Sequence, residues 1–386
     1  MVNHDRLAIF LATSGHSGVD RVMKNLVGEL VARGLGIDLL GIANHGPYLE
    51  VVPANLDIIE LDASHVNTSL PALVRYLKRK RPQALLTDKD RVNRVALWAR
   101  QLAGVPTKVA VRIGTTVSEN LARRSWLHRR LQYYSIRHFY PWAHAIIVPS
   151  HGVAQDLARI MRVSTAKIRV VPSPVVSGFL EQMAAEPINL PWFSYTGPPV
   201  VLGVGELCER KDFSTLIRAF AKVRRKRSSQ LIILGEGRQR ERLRKLVRDL
   251  KLDSDVLFPG FVTNPYAYMK KAALFVLSSR CEGAPVVLME ALALGLPVVS
   301  TDCPSGPREI LQDGKFGPLV PVGDVSALAQ AILETLENRP DAETLKKAVQ
   351  RYTVASSASQ YLEILGFSEK QGDRSDSSSM PTLSHD

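Results

Sequence analysis

Residues 274–301 read LFVLSSRCEGAPVVLMEALALGLPVVST, and this stretch decides the fold. Leu274 to Leu277 is an apolar run of strand length, Ser278 to Pro285 is a turn-rich loop, and Val286 to Leu294 is almost wholly hydrophobic. Pro297 to Thr301 then returns to β-rich residues. Strand, loop, helix and strand in this order are the unit of a parallel sheet covered by helices. A helix that is apolar all round is buried on most sides. Glu290, inside it, is therefore out of bulk water. A carboxylate there is costly unless hydrogen-bond donors or a cation meet it.

The same alternation runs outward along nearly all of the 386 residues. Strands are expected near Leu7 to Thr13, Ile37 to Ala43, Asp57 to Leu61, Ala84 to Thr87, Lys108 to Ile113 and Ala145 to Val148. A Pro-bearing stretch interrupts the pattern. It restarts near Val200 to Val204, Leu231 to Leu234, Val256 to Phe258, Leu274 to Leu277, Pro297 to Thr301 and Leu319 to Val322. The expected class is α/β, with two doubly wound Rossmann-like domains facing across a cleft. An N-terminal domain spans 1–175, a linker 176–198 and a C-terminal domain 199–350. Residues 351–365 form a helix that packs back on the N-terminal domain, and 366–386 form a polar, disordered tail. Open parallel sheets bind ligands beyond the carboxyl ends of their strands, so the cleft is the expected site.

Charge narrows the partners. The chain carries +13, and residues 1–185 hold 24 Lys and Arg against 13 Asp and Glu, which is +11. Anionic partners for that half are implied. The basic residues fit no zinc-finger, RRM or helix-turn-helix pattern, which argues against nucleic acid. No apolar run reaches the roughly 18 residues of a membrane span. The N-terminus lacks the cleavage pattern of a secretory signal, so a cytoplasmic location is expected. Cys208, Cys281 and Cys303 have no metal-ligand spacing and read as reduced, structural thiols.

Three strand-end loops carry candidate chemistry. In SGHSGVDRVMKNL, Gly15 and Gly18 permit close backbone approach where a helix opens, although a plain βα turn needs glycine too. In VGELCERKDFSTLIRAF, Arg210 and Lys211 stand at a strand end, placed either to pair with phosphate oxygens or simply to be solvated. In the opening stretch Pro285 suits a first helical turn, leaving Gly283 and Ala284 in the preceding turn with exposed N–H groups. Glu282 and Glu290 resemble a glycosidase pair only superficially, since that chemistry sets two carboxyl groups about 5–10 Å apart across the scissile bond. Both read better as acceptors for ligand hydroxyls, with Lys211 opposing phosphate charge. A polyol next to phosphate describes a nucleotide sugar.

The segment SSRCEGAPVVLMEALALGLPVVSTDCPSGPREIL resembles the donor-binding signature of the GT-B glycosyltransferases of family 4, in which E-x7-E precedes a G-x-P-V-V-S-T strand. The likeness extends through VGELCERKDFSTLIRAF, ILGEGRQRERL and FPGFVTNPYAYMKKA to G-V-D-R-V near the N-terminus. It implies that Glu282 contacts the donor sugar and that Gly283, Ala284, Pro285 and Val286 approach sugar and phosphates through the loop backbone. Glu290 accepts from ribose hydroxyls, and Lys211 holds the diphosphate. Phe261 and Val262 face the base, and Gly18 lies beneath the phosphates from across the cleft. Where the family commonly places an arginine after the glycine of the second loop, this chain has Glu206, and Arg210 is assigned the missing charge. Many members also carry a histidine after the fifth strand. Here VRIGTTVSE has none, and Arg112, Thr115 and Thr116 become the candidate contacts to donor or acceptor.

By this resemblance the chain is a retaining transferase of a hexose or N-acetylhexosamine, from UDP in preference to GDP, with Lys211 and Glu282 catalytic. The acceptor is a saccharide or lipid-linked saccharide, and no cofactor or essential metal is expected. A noncatalytic nucleotide-sugar binder and a GT-B sugar epimerase are the alternatives. Finally, ARRSWLHRRLQYYSIRHFYPW interleaves aromatic residues with Arg123, Arg124, Arg129 and Arg130 around Trp126. This suits an interfacial helix on an anionic membrane, or else a domain helix that buries its aromatics. The first reading places the enzyme peripherally on the inner face of the cytoplasmic membrane.

Overall fold

A computed structural model describes residues 6–13, 15, 17–43, 45–46, 52–122, 124–162, 167–193 and 197–368. Arg123 and most of the expected tail, 369–386, lie outside the described residues. The first sheet comprises β1 (Arg6–Phe10), β2 (Gly36–Gly41), β3 (Leu56–Glu60), β4 (Ala84–Asp88), β5 (Lys108–Arg112), β6 (Ala145–Val148) and β7 (Ile168–Val170). All its pairings are parallel, in the order β3-β2-β1-β4-β5-β6-β7. The second comprises β8 (Val200–Val204), β9 (Gln230–Leu234), β10 (Val256–Gly260), β11 (Leu274–Leu277), β12 (Val298–Thr301) and β13 (Leu319–Val320), ordered β10-β9-β8-β11-β12-β13 and again parallel.

Parallel strands buried on both faces are largely apolar, and β8 (VVLGV) and β11 (LFVL) are wholly so. In β1, Ala8 and Phe10 enter one apolar cluster while Leu7 and Ile9 enter the other. In β8, Val200, Leu202 and Val204 face one side and Val201 the other. Strand order reverses between β1 and β4 in the first sheet and between β8 and β11 in the second. Ligands of doubly wound sheets sit at such reversals. The three loops singled out above follow β1, β8 and β11, so all three lie at a reversal.

Two segments cross between the domains. Val175 and Val176 both donate backbone N–H to Tyr352 O, at 3.0 and 2.9 Å, and Val354 N–H returns to Val176 O at 3.0 Å. The crossings thus run side by side, paired at Val176 and Thr353. After the second, helix Val354–Leu365 buries Ala358, Tyr361, Leu362 and Leu365 in the cluster that contains Leu7 and Ile9. The stretch 176–198, expected as a linker, differs from that expectation: it folds as helix Gly178–Ala184, with Leu180 and Ala184 in the apolar core of the second domain. Strand β7 was not expected either. At three residues on the sheet edge it is too short to show a pattern.

Candidate active site

Between the domains lies a cleft of about 410 Å³. On one wall stand Gly18, Arg112 and Thr115; on the other stand Arg210, Lys211, Phe261, Val262, Glu282, Gly283, Ala284, Pro285 and Val286. The centre of the second wall is Glu282. Its Oε1 accepts from Lys211 Nζ at 2.7 Å and from Ser279 Oγ at 2.6 Å, and its Oε2 accepts from Arg210 Nη1 at 3.0 Å. Burial opposes its charge, but Lys211, Arg210 and the hydroxyl of Ser279 outweigh it and hold its pKa below the usual glutamate range.

The cations are set by the β8 loop. Asp212 caps helix Phe213–Lys226, accepting from Thr215 Oγ1 at 2.9 Å, and adopts a left-handed φ of 46°. Arg280 from the opposite loop pairs with the same carboxylate at 2.8 Å. Gly205, at a positive φ of 155° that disfavours other residues, lies beneath Lys211, and a Cβ there would stand 3.2 Å from the lysine's Cε, so that the lysine would have to shift. This packing holds the lysine stem against the loop and directs its ammonium to Glu282.

Glu290 is met by one donor and one cation. It is 2% exposed within helix Val286–Ala293 and is not among the residues that line the cleft. Tyr266 Oη donates to its Oε1 at 3.0 Å. Arg21, from helix Gly18–Ala32 of the other domain, brings Nε to 3.0 Å from the same oxygen, without the alignment of a hydrogen bond. Oε2 is buried with no hydrogen-bond partner. Burial raises the Glu290 pKa, and Arg21 and Tyr266 offset only part of that. Burial opposes the Arg21 charge too, yet Glu290 with Tyr266 and Asp20 leaves its pKa raised.

The domains touch around the mouth of the cleft. Gly283 pairs with Thr115 in an isolated antiparallel bridge, and a Cβ on Gly283 would lie 2.0 Å from Gly114 O, so only glycine allows this approach. Thr116 Oγ1 donates to Glu282 O at 3.2 Å and Ser150 Oγ donates to Gly283 O at 2.9 Å. The Glu309 carboxylate accepts the backbone N–H groups of His151 and Gly152, at 3.0 and 2.8 Å. Arg112 is 4% exposed and bonded to Asp88, with Tyr361 of the last helix also on its guanidinium. Its charge is thus already answered within the domain. Thr115 accepts from Asn120 Nδ2 at 2.5 Å.

Sequence reasoning missed Arg21, Tyr266, Ser279 and Asp88. Arg21 follows Asp20, which closes the capping box of its helix with Ser17, but nothing local in the sequence marks its pairing with Glu290. Among the described residues no group of three or more His, Cys, Asp or Glu is placed to hold a metal. Cys303 is pushed up to about 12 by burial and stays protonated.

The basic aromatic segment lies outside the cleft lining and divides in two. Trp126, Leu127, Leu131 and Tyr134 are 58–63% exposed, Arg130 stacks over Trp126 at 5.3 Å, and Arg124 and Arg129 are exposed beside them. Further along, Ile136 is buried while Phe139 and Trp142 pack edge-on against Trp98. The second half thus packs as a domain helix that buries its aromatics, while the first half leaves its aromatics exposed.

Two family models match. Residues 17–174 match a glycosyl transferase 4-like domain and 189–352 match glycosyl transferases group 1. A relative from Campylobacter jejuni, N-acetylgalactosamine-N,N'-diacetylbacillosaminyl-diphospho-undecaprenol 4-alpha-N-acetylgalactosaminyltransferase, is 30% identical over 373 residues, covering 92% of this chain and 99% of that one. The lipopolysaccharide core biosynthesis glycosyltransferase LpsE of Rhizobium meliloti is 38% identical over 134 residues, 35% of this chain and 38% of that protein. Among solved structures, sucrose-phosphate synthase from Thermosynechococcus elongatus superposes with a TM-score of 0.78 at 21% identity, covering 93% and 98% of the two chains. The lipopolysaccharide outer core galactosyltransferase WaaB gives 0.72 at 18%, covering 94% and 99%.

Proposed function

The chain belongs to the group 1 glycosyl transferases of the GT-B, family 4-like kind, and on that premise we propose that it moves a hexose or N-acetylhexosamine, with retention, from a UDP-sugar to a lipid-linked saccharide. The observation that carries this is the convergence of Lys211 and Arg210 on Glu282, opposite the helix that opens at Gly18. A diphosphate laid between them meets two cations on one side. From the other come the backbone N–H groups of a helix start, which favour anions. Charge that develops on the leaving diphosphate is stabilised where it forms. Glu282, held anionic, is a poor general base and a good acceptor for sugar hydroxyls. Retention rests on the family resemblance alone. Glu290 offers its free oxygen to ribose, and Phe261 and Val262 offer a surface to the base.

The lipid-linked acceptor is favoured by the printed specificity of the Campylobacter jejuni relative and by the exposed face around Trp126, Arg124, Arg129 and Arg130. We place that face against an anionic membrane. No helix among the described residues is long and apolar enough to cross one.

The test is turnover of UDP- and GDP-sugars with lipid-linked acceptors, the anomeric configuration of the product being read by NMR. Lys211→Ala is expected to lower kcat by about 10²-fold or more. Glu290→Ala is expected to weaken UDP and UDP-sugar together, whereas Glu282→Ala chiefly impairs the sugar-bearing donor. Stabilisation by nucleotide sugar without release of UDP would make the chain a binder instead.

A further inference from the structure

Arg21 and Glu290 come from different domains and meet at 3.0 Å. The arginine lines the cleft with a side chain 31% exposed, while the carboxylate behind it is 2% exposed and has no cleft surface of its own. Its two oxygens are served unequally. Oε1 has both the Tyr266 hydroxyl and Arg21, whereas Oε2 is buried with no hydrogen-bond partner. A buried carboxylate oxygen without a donor is an expensive arrangement, and a vicinal diol supplies what is lacking: two O–H groups spaced for two oxygens. To deliver them from the cleft, the diol must displace the guanidinium that stands in the way.

The contact is built to be exchanged. Arg21 Nε is near Oε1 but not aligned for a hydrogen bond, so the pair is held by charge rather than by a directed bond. Arg21 also belongs to the helix whose first residue, Gly18, lies on the cleft wall facing Lys211 and Arg210. A guanidinium turned from Glu290 into the cleft joins those two cations around the same space. A bidentate donor of fixed charge suits phosphate oxygens there.

We propose that Arg21 is a donor-binding residue that changes partners, holding Glu290 across the domain boundary as observed and passing to the diphosphate when the ribose hydroxyls take the carboxylate. The proposal rests on the reading of Glu290 as the ribose acceptor. It makes the first domain the source of a third cation for the donor, and it couples occupation of the nucleotide site to the domain contact.

The experiment is a double-mutant cycle on the full chain, titrating uridine and UDP, with guanosine and GDP alongside, into wild type, Arg21→Ala, Arg21→Lys, Glu290→Gln and Arg21→Ala with Glu290→Gln. Arg21→Ala is expected to leave uridine binding unchanged or tighter, because the competitor for Glu290 is gone, and to weaken UDP about tenfold or more, a loss that Lys restores in part. The same UDP loss is expected in the Glu290→Gln background. That background also removes the unpaired buried carboxylate, so the comparison survives if Arg21→Ala alone folds poorly. A role confined to positioning Glu290 predicts that uridine and UDP weaken by one common factor, with no effect of Arg21→Ala once Glu290 is Gln. That result overturns the proposal while leaving the functional reading intact. Unchanged UDP affinity in Glu290→Gln overturns the ribose reading and the proposal with it.

Discussion

The two carboxylates of one short stretch are held in opposite ways, and the difference is measurable. Glu282 is met by two cations and a hydroxyl and stays ionised below the usual glutamate range. Glu290 is raised by burial above its ordinary value of 4.5. An acceptor for ribose hydroxyls works best as the anion, and a raised pKa means the anion is lost earlier as pH falls. UDP affinity of the wild type is therefore expected to drop on acidification from a pH above 4.5, while Glu290→Gln shows no such component in calorimetric titrations across that window. The titration of the nucleotide phosphate is common to both proteins and cancels in their ratio, so parallel profiles would sink the assignment. The placement of Glu282, Lys211 and Arg210 at strand ends facing the cleft was legible in the sequence, because each sits in a loop next to an unmistakable strand, while their roles rested on the family resemblance. Arg21 was not, because its partner lies 269 positions away in another domain and no local pattern records a contact of that range.

At the scale of elements, the βαβ units were legible because strands buried on both faces include unbroken apolar runs, as in VVLGV and LFVL. Helix Gly178–Ala184 was hidden by the prolines around it and by carrying only two core residues, Leu180 and Ala184. Helix Trp126–Phe139 was legible in composition but not in its division, since which aromatic faces Trp98 is decided by tertiary packing. Its outward half yields a prediction. In the proposed membrane role, wild type floats with anionic liposomes at low salt and is released as salt screens the attraction. Trp126→Glu with Arg130→Glu is expected to abolish flotation while leaving the melting temperature nearly unchanged, because both side chains are exposed. Equal flotation of the variant and wild type would rule this face out.

For the whole molecule, the two chain crossings between the domains lie side by side, paired at Val176 and Thr353. Glu309 on His151 and Gly152, Thr116 on Glu282 and Ser150 on Gly283 tie the domains together beyond them. Shared cover between distant parts of the chain makes a further prediction. Ending the chain before Val354 removes Ala358, Tyr361, Leu362 and Leu365 from contact with the sheet that holds Leu7 and Ile9. Such a variant is expected to lose soluble yield and to bind an apolar dye, and unaltered yield and melting would show the helix to be dispensable. The same feature governs birth on the ribosome. Domains commonly fold in the order in which they emerge, but the sheet made first waits for the helix made among the last. The nascent N-terminal half therefore travels through synthesis of the whole second domain with helix Gly18–Ala32 already on that face but the place of the last helix still open to solvent.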